Sequence, residues 1–149
     1  MGGGGALWLA LTRADVWAAV APVCADVFPG TVDLAPNALN LPMRIFHGEL
    51  DPAVEVESSR QWQRRLLALD SPVEYVEFPG VRHNAWEPAY QNGAIFDWFG
   101  KYRRNANPDR VRLAARDLHY TAAYWVRIDA LARAYWLRWT RCALPAGFA

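Results

Sequence analysis

The sequence predicts an α/β fold built on a parallel sheet, and three observations carry that prediction. An apolar run at residues 16–24, another at 43–46 and a partly alternating one at 73–78 have the length and composition of buried strands. A stretch of helical periodicity, residues 59–69, lies between the second run and the third, as the crossover between parallel neighbours requires. Each of the last two runs ends in a polar turn with a reactive side chain, Asp51 after His47-Gly48 and His83 after Pro79-Gly80. Open parallel sheets place their chemistry at that edge. With 149 residues, 53% hydrophobic and 21% charged, the chain has the bulk of one ordinary domain and the composition of a packed core.

Taken in order, Met1-Gly-Gly-Gly-Gly5 reads either as a flexible leader or as small residues that let a helix pack closely under a strand. Residues 6–12 contain no breaker and favour helix. The first strand follows at 16–24, with Pro22 confined to an end of its ladder and Cys24 a small buried hydrophobe. Pro29-Gly30, Pro36-Asn37 and Pro42 make residues 26–42 a loop with at most a short helix. After the strand at 43–46, Ser58 is the expected N-cap of a helix over 59–69, with Trp62, Leu66 and Leu69 as its apolar stripe. Ser71-Pro72 ends it. The strand at 73–78 leads through Pro79-Gly80 to His83. A closing helix is expected over 90–102, with Ile95, Trp98, Phe99 and Tyr102 on one face and Lys101, Arg103 and Arg104 at its C-terminal end.

Asn105-Ala-Asn-Pro108 is the candidate boundary, dividing a main unit at 1–104 from a β-rich appendage at 105–149. In the second part, Val111, Leu113 and Ala115 alternate with arginines, and Tyr124, Val126 and Ile128 repeat the pattern, which predicts a small β-hairpin. Residues 130–141 mix helical spacing with crowded aromatics, and 144–149 read as a frayed end.

Composition excludes several classes of function. A net charge of +1 gives no whole-molecule field toward nucleic acid or an anionic membrane. The basic cluster of Lys101, Arg103, Arg104, Arg110, Arg112 and Arg116 reads as a solvated helix end and strand face, so no nucleic-acid partner is expected. No apolar run is long enough to span a bilayer. Two cysteines make neither a disulfide framework nor a zinc spacing. His47, Glu49 and Asp51 offer one imidazole and two carboxylates with no second cluster to complete a shell, so neither metal nor other cofactor is expected. His47 reads as structural, donating within its turn, and His119 as a surface residue. No signal peptide is visible, and the compartment stays open. Eight tryptophans point to an aromatic-lined cleft or buried platforms.

Asp51 and His83 carry the chemistry. A serine hydroxyl is a weak nucleophile, so a base of near-neutral pKa must take its proton, and an anion must hold that base in one tautomer. Strand, Asp, helix, strand, His is the second half of the Ser…Asp…His order. The segments Phe46-His-Gly-Glu-Leu-Asp-Pro-Ala-Val-Glu-Val and Val73-Glu-Tyr-Val-Glu-Phe-Pro-Gly-Val-Arg-His-Asn-Ala-Trp resemble the C-terminal half of an α/β-hydrolase. Within that superfamily they are similar to the prolyl oligopeptidase and related esterase branch of serine peptidases. Met-Gly-Gly-Gly-Gly-Ala-Leu-Trp resembles the stretch that follows the nucleophile of that family. The resemblance extends over residues 1–130 and implies Asp51 as triad acid, His83 as triad base, Met1 and Gly2 at the elbow and oxyanion hole, and Asn84 and Trp86 near the site mouth.

The chain departs from the family where its serine belongs. Its serines are Ser58, Ser59 and Ser71, and none precedes Gly2. The expectation is therefore a fragment of a serine hydrolase, peptidase or carboxylesterase, that is inactive alone and whose parent acts on a peptide or ester substrate. A strand ending in Gly-x-Ser is expected directly upstream of Met1, in frame or one frameshift away. The alternative is a non-catalytic binding or interaction module derived from the same fold. With about three core strands near Trp17, Ile45 and Tyr75, the first is expected to leave an unpaired edge open to self-association.

Overall fold

The computed structural model describes residues 1–130 of the chain. The ambiguous and frayed stretches expected at 131–149 lie outside those residues. Helix α1 spans Gly2–Thr12, and a short α2, Pro29–Val32, is followed by a 3-10 turn at Ala35–Asn40. Strand β1 is Met43–Gly48, helix α3 Val56–Ala68, and strand β2 Val73–Phe78. Helix α4, Trp86–Tyr90, and helix α5, Ala94–Phe99, close the main body. A small hairpin of β3, Ala122–Ala123, and β4, Val126–Arg127, follows.

The sheet is parallel and β1 is its middle strand. Met43 pairs with Val73 and Gly48 with Phe78 in an unbroken register. On the other side, residues 20–23 run parallel to β1 but touch it only through bridges at Val20–Met43 and Val23–Phe46. The chemistry of Pro22 explains the interruption. The Val20 and Cys24 amides donate to Pro42 and Phe46, and Val20 and Pro22 accept from Arg44 and Phe46. The rung between them needs an amide at position 22, which proline lacks. The run expected as a strand at 16–24 therefore forms no continuous strand, only those bridges: Val16 and Trp17 stay exposed, and the Trp17 indole donates to the Leu9 carbonyl.

Alternation along β1 splits the core in two. Met43 and Ile45 face α1 and α3, where Leu7, Leu11, Leu41, Trp62 and Leu66 are fully buried. Phe46 faces the other way, onto Ala89 of α4 and Ile95 of α5. Both faces are covered, so nearly every β1 residue is buried, as the apolar run in its sequence required.

Four expected elements differ in detail. Helix α1 begins at Gly2, not at Ala6, because its glycines lie against other chain: a Cβ on Gly3 would overlap the Val23 carbonyl, and one on Gly4 the Phe28 ring. Helix α3 begins at Val56 behind Glu55; Ser58 lies inside it and donates to Asp26 instead of capping. The stretch expected as one helix over 90–102 is α4 and α5 separated by a 3-10 turn, because Asn92 and Gly93 adopt φ of 54° and 73°. Residues 26–42 hold two short helical pieces where at most one was expected.

Beyond residue 104, the first alternating stretch forms no strand. Its backbone is held by side chains: Asn37 donates to the Ala114 carbonyl and accepts from the Ala114 amide, and Asn40 donates to the Arg110 carbonyl. The second forms the β3–β4 hairpin, and Tyr124 between its strands has φ of 54°. No helix among the described residues is long and apolar enough to cross a membrane.

Candidate active site

The turns after β1 and β2 are sewn together, and that brings the two reactive side chains into contact. The Glu49 amide donates to Phe78, the Leu50 amide to Val81, and the Gly80 amide to the Glu49 carboxylate. Glu49 is thus a turn partner. Gly48 lies so close to the next loop that a Cβ there would overlap the Val81 and Arg82 carbonyls. Residue 48 therefore has to be glycine for the His83 loop to close on the Asp51 loop.

Asp51 and His83 meet as expected. His83 Nδ1 donates to Asp51 Oδ2 over 2.7 Å. The other carboxylate oxygen, Oδ1, accepts from the Ala53 amide at 2.8 Å and the Val54 amide at 3.0 Å. The Asp51 side chain is fully covered, whereas that of His83 is 40% exposed. Burial, the largest single influence on Asp51, opposes its charge. The His83 contact and the two amides outweigh it together and hold the carboxyl down at about 2. Asp51 is therefore an anion at neutral pH, with its charge directed at the imidazole.

His83 Nε2 makes no hydrogen bond among the described residues and opens on a cavity of ≈ 330 Å³. Met1, Gly2 and Gly3 from the start of α1 line this cavity, with Ala21, Val23, Trp86 and Tyr90. The Trp86 ring meets His83 edge-on at 6.0 Å. Of the residues the sequence singled out, Asp51, His83, Met1, Gly2 and Trp86 thus come together. Asn84 does not join them; it donates to Glu87 and lines a different hollow with Gly80 and Arg82.

Sequence reasoning missed two participants. Cys24 is buried as expected, and it also packs beside the Asp51–His83 pair, its Sγ 3.7 Å from the His83 carbonyl. It sits at the end of the irregular strand with φ of 48°. Burial, followed by the Asp51 carboxylate, pushes its thiol up to about 11, so it stays protonated at neutral pH. Ser59 was read as the start of a helix, yet it is buried against His47, whose Nδ1 lies 2.6 Å from its Oγ. His47, fully buried, also reaches the Val54 carbonyl through Nε2 at 3.0 Å. The expected donation by His47 within its turn is there, with an added contact across to α3. The signal for Ser59 was weak because the β1–α3 distance is not written in helical spacing.

Cys24, His47 and Asp51 bring one possible ligand atom each to within 4.8 Å of one another. The donor set is poor for a cation. Both His47 nitrogens already have partners, and the thiol is held in its protonated form. The arrangement is a hydrogen-bonded support for a carboxylate. Chemically, it can hold a neutral imidazole with its proton on Nδ1 and its lone pair on the exposed Nε2, ready to accept a proton from a group in the cavity.

No protein-family model and no curated protein sequence matches the chain. Solved structures do. A thermostable esterase superposes with a TM-score of 0.59 and 27% identity, over 68% of this chain and 28% of the esterase. A protein of Klebsiella pneumoniae subsp. pneumoniae MGH 78578 assigned as a dienelactone hydrolase gives 0.53 and 21%, over 64% and 47% of the two chains. Est1E from Butyrivibrio proteoclasticus gives 0.52 and 16%, over 66% and 56%. The chain therefore spans between 28% and 56% of the length of these three structures.

Proposed function

We propose, from the premise that this chain is part of an α/β-hydrolase fold, that it supplies the acid and base of a serine hydrolase and takes its nucleophile from residues outside this sequence. The observation that carries the proposal is the 2.7 Å contact between His83 Nδ1 and a buried Asp51 carboxylate, with His83 Nε2 left open to a cavity. In the reaction, Nε2 removes the proton of a serine hydroxyl as that oxygen attacks an acyl carbon. Asp51 stabilises the imidazolium, which then protonates the departing alcohol or amine. The first amides of α1 lack intrahelical partners, and Met1 and Gly2 line the same cavity, so the oxyanion donors of this reading are the Gly2 amide and, once Met1 is joined to a preceding residue, the Met1 amide.

None of the chain's own serines fits the nucleophile's role. Ser58 donates to Asp26, Ser59 contacts His47, and Ser71 is buried at the end of α3. Cys24 lines the cavity but lies beside an anion that disfavours its thiolate. Likeness to an esterase at 27% identity favours acyl esters, in line with the esterase branch the motifs resemble. Peptides are the other substrate class of that prolyl oligopeptidase-like branch. In this reading the chain is the C-terminal half of the catalytic domain.

The test has two arms. The chain alone, given an activated ester and a fluorophosphonate probe, is expected to show neither turnover nor labelling. Joined in frame to a strand ending in Gly-x-Ser directly before Met1, with the strands that precede it in the fold, it is expected to gain esterase activity that His83→Ala removes. Labelling of Ser58, Ser59 or Ser71 with turnover, or an active joined protein indifferent to His83→Ala, would refute the assignment.

A further inference from the structure

The acid–base pair is the last link of a longer hydrogen-bonded chain that begins inside α3. Ser59 Oγ lies 2.6 Å from His47 Nδ1. His47 Nε2 lies 3.0 Å from the Val54 carbonyl and 3.4 Å from Asp51 Oδ2. Asp51 Oδ2 in turn accepts from His83. Ser59 and His47 are both fully buried, so no water competes for these contacts.

The partners dictate which way the protons face. A carbonyl and a carboxylate can only accept, so a ring nitrogen lying between them carries hydrogen. In the neutral His47 ring that nitrogen is Nε2, which leaves a lone pair on Nδ1 and makes the Ser59 hydroxyl the donor. The other tautomer would set the Nε2 lone pair against two acceptors in a place that excludes water. Ser59 Oγ fills Nδ1 and so seats the ring with Nε2 on the Val54 carbonyl.

We propose that Ser59 and His47 are positioning residues for Asp51, acting through Val54: Ser59 seats the His47 ring, the His47 Nε2–H holds the Val54 carbonyl, and the Val54 amide then meets the carboxylate that pairs with His83. The proposal rests on the reading of Asp51 and His83 as acid and base. Its geometry draws on three elements at once. His47 comes from β1, Ser59 from α3, and Asp51 and Val54 from the loop that joins them. Val54 closes the loop on itself, donating its amide to Asp51 Oδ1 while its carbonyl accepts from His47. Oδ1 is held by two amides and Oδ2 by His83, with the His47 ring 3.4 Å away behind it.

The test is nitrogen-15 NMR of the histidine rings in the 149-residue chain at pH 7. His47 is expected as the Nε2–H tautomer, with His83 Nδ1–H visible as a downfield, slowly exchanging proton. In Ser59→Ala the His47 Nδ1 loses its partner and its resonance should shift, and the His83 Nδ1–H should move upfield and exchange about tenfold faster, as loss of one buried hydrogen bond predicts. Ser59→Thr keeps the hydroxyl and should restore both signals. An unchanged His83 proton in folded Ser59→Ala overturns the relay while leaving the acid–base pair intact. Absence of the downfield His83 proton from the wild type overturns the acid–base reading itself. If Ser59→Ala does not fold, the wild-type tautomer decides: His47 protonated on Nδ1 alone overturns the proposal.

Discussion

Replacing Asp51 with asparagine changes almost nothing in shape and reverses the polarity of one contact. The asparagine oxygen can still accept from the Ala53 and Val54 amides. Its NH₂ group, however, lies where His83 Nδ1–H donates, so donor faces donor. The magnitude follows from the carboxyl's position. It sits at about 2, against 3.8 for a free aspartate. At about 1.4 kcal/mol per unit, the ionised form contributes about 2 kcal/mol to folding. The sign follows from the direction of the shift. A carboxyl held below its unfolded value stabilises fully above pH 4 or so, and the contribution disappears as the pH falls through about 2. Urea unfolding of wild type and Asp51→Asn at pH 7, 4 and 2.5 isolates it. Other depressed carboxyls, such as Glu77 beside Arg60, are common to both proteins and cancel in the difference. The variant should be less stable by about 2 kcal/mol at pH 7, and the gap should close toward pH 2. A gap that keeps its size from pH 7 to 2.5 would show that Asp51 is not held as a paired anion.

Four further substitutions and one association test probe the supports of the site. Gly48→Ala should push the His83 loop off the Asp51 loop, costing about 1–3 kcal/mol in urea unfolding and weakening the downfield His83 proton. Gly3→Ala should destabilise by a similar amount through its overlap with the Val23 carbonyl, whereas Gly5→Ala, with open space around it, should raise the melting temperature, gaining about 0.5–1 kcal/mol. Asn37→Ala should free the segment around Ala114 and make it the first site of limited proteolysis, with α3 cut later. The outer edge of residues 20–23 is proposed as a self-association surface. Sedimentation should therefore show oligomers growing with concentration, and a monomer at all concentrations would remove that surface from consideration.

The β1–β2 pairing and the Asp51–His83 contact were legible in the sequence because both depend on local signals. Apolar runs marked β1 and β2, and turn residues marked the loops at their carboxyl ends, so Asp51 and His83 could be paired without knowing any tertiary distance. What stayed hidden depends on contact across the fold. The break at Asn92–Gly93 replaces an amphipathic stripe that looked continuous, because two left-handed residues leave no trace in hydrophobic spacing. The alternation at Val111, Leu113 and Ala115 looked like a strand, yet Asn37 and Asn40 satisfy its backbone, an arrangement only the folded neighbourhood determines. Cys24 and Ser59 looked like a core residue and a helix start. Their roles come from the approach of β1's neighbours, which no single stretch of sequence encodes.

Asp51 and His83 share a scaffold that the proposed nucleophile would not. Everything that sets the Asp51–His83 distance lies in two adjacent parallel strands and their turns: the β1–β2 register, Gly48 against Arg82, and Glu49 against Gly80. The distance from His83 to the start of α1 is set elsewhere, by the packing of Gly3 on Val23 and so by the strand that Pro22 weakens. The two geometries can thus fail separately. A change at Gly48 should loosen the acid–base pair and leave the cavity wall at Gly2 in place, and a change at Gly3 should do the reverse. In a joined, active protein this predicts a division of kinetic effects. Gly48→Ala should lower the rate of every acyl substrate alike, because the base is displaced from its anion. Gly3→Ala should move the helix that carries the proposed oxyanion donors, lowering kcat while the downfield His83 proton stays in place. If Gly3→Ala abolished that proton as well, the acid–base pair would depend on α1, and the independence argued from the β1–β2 turns would be wrong.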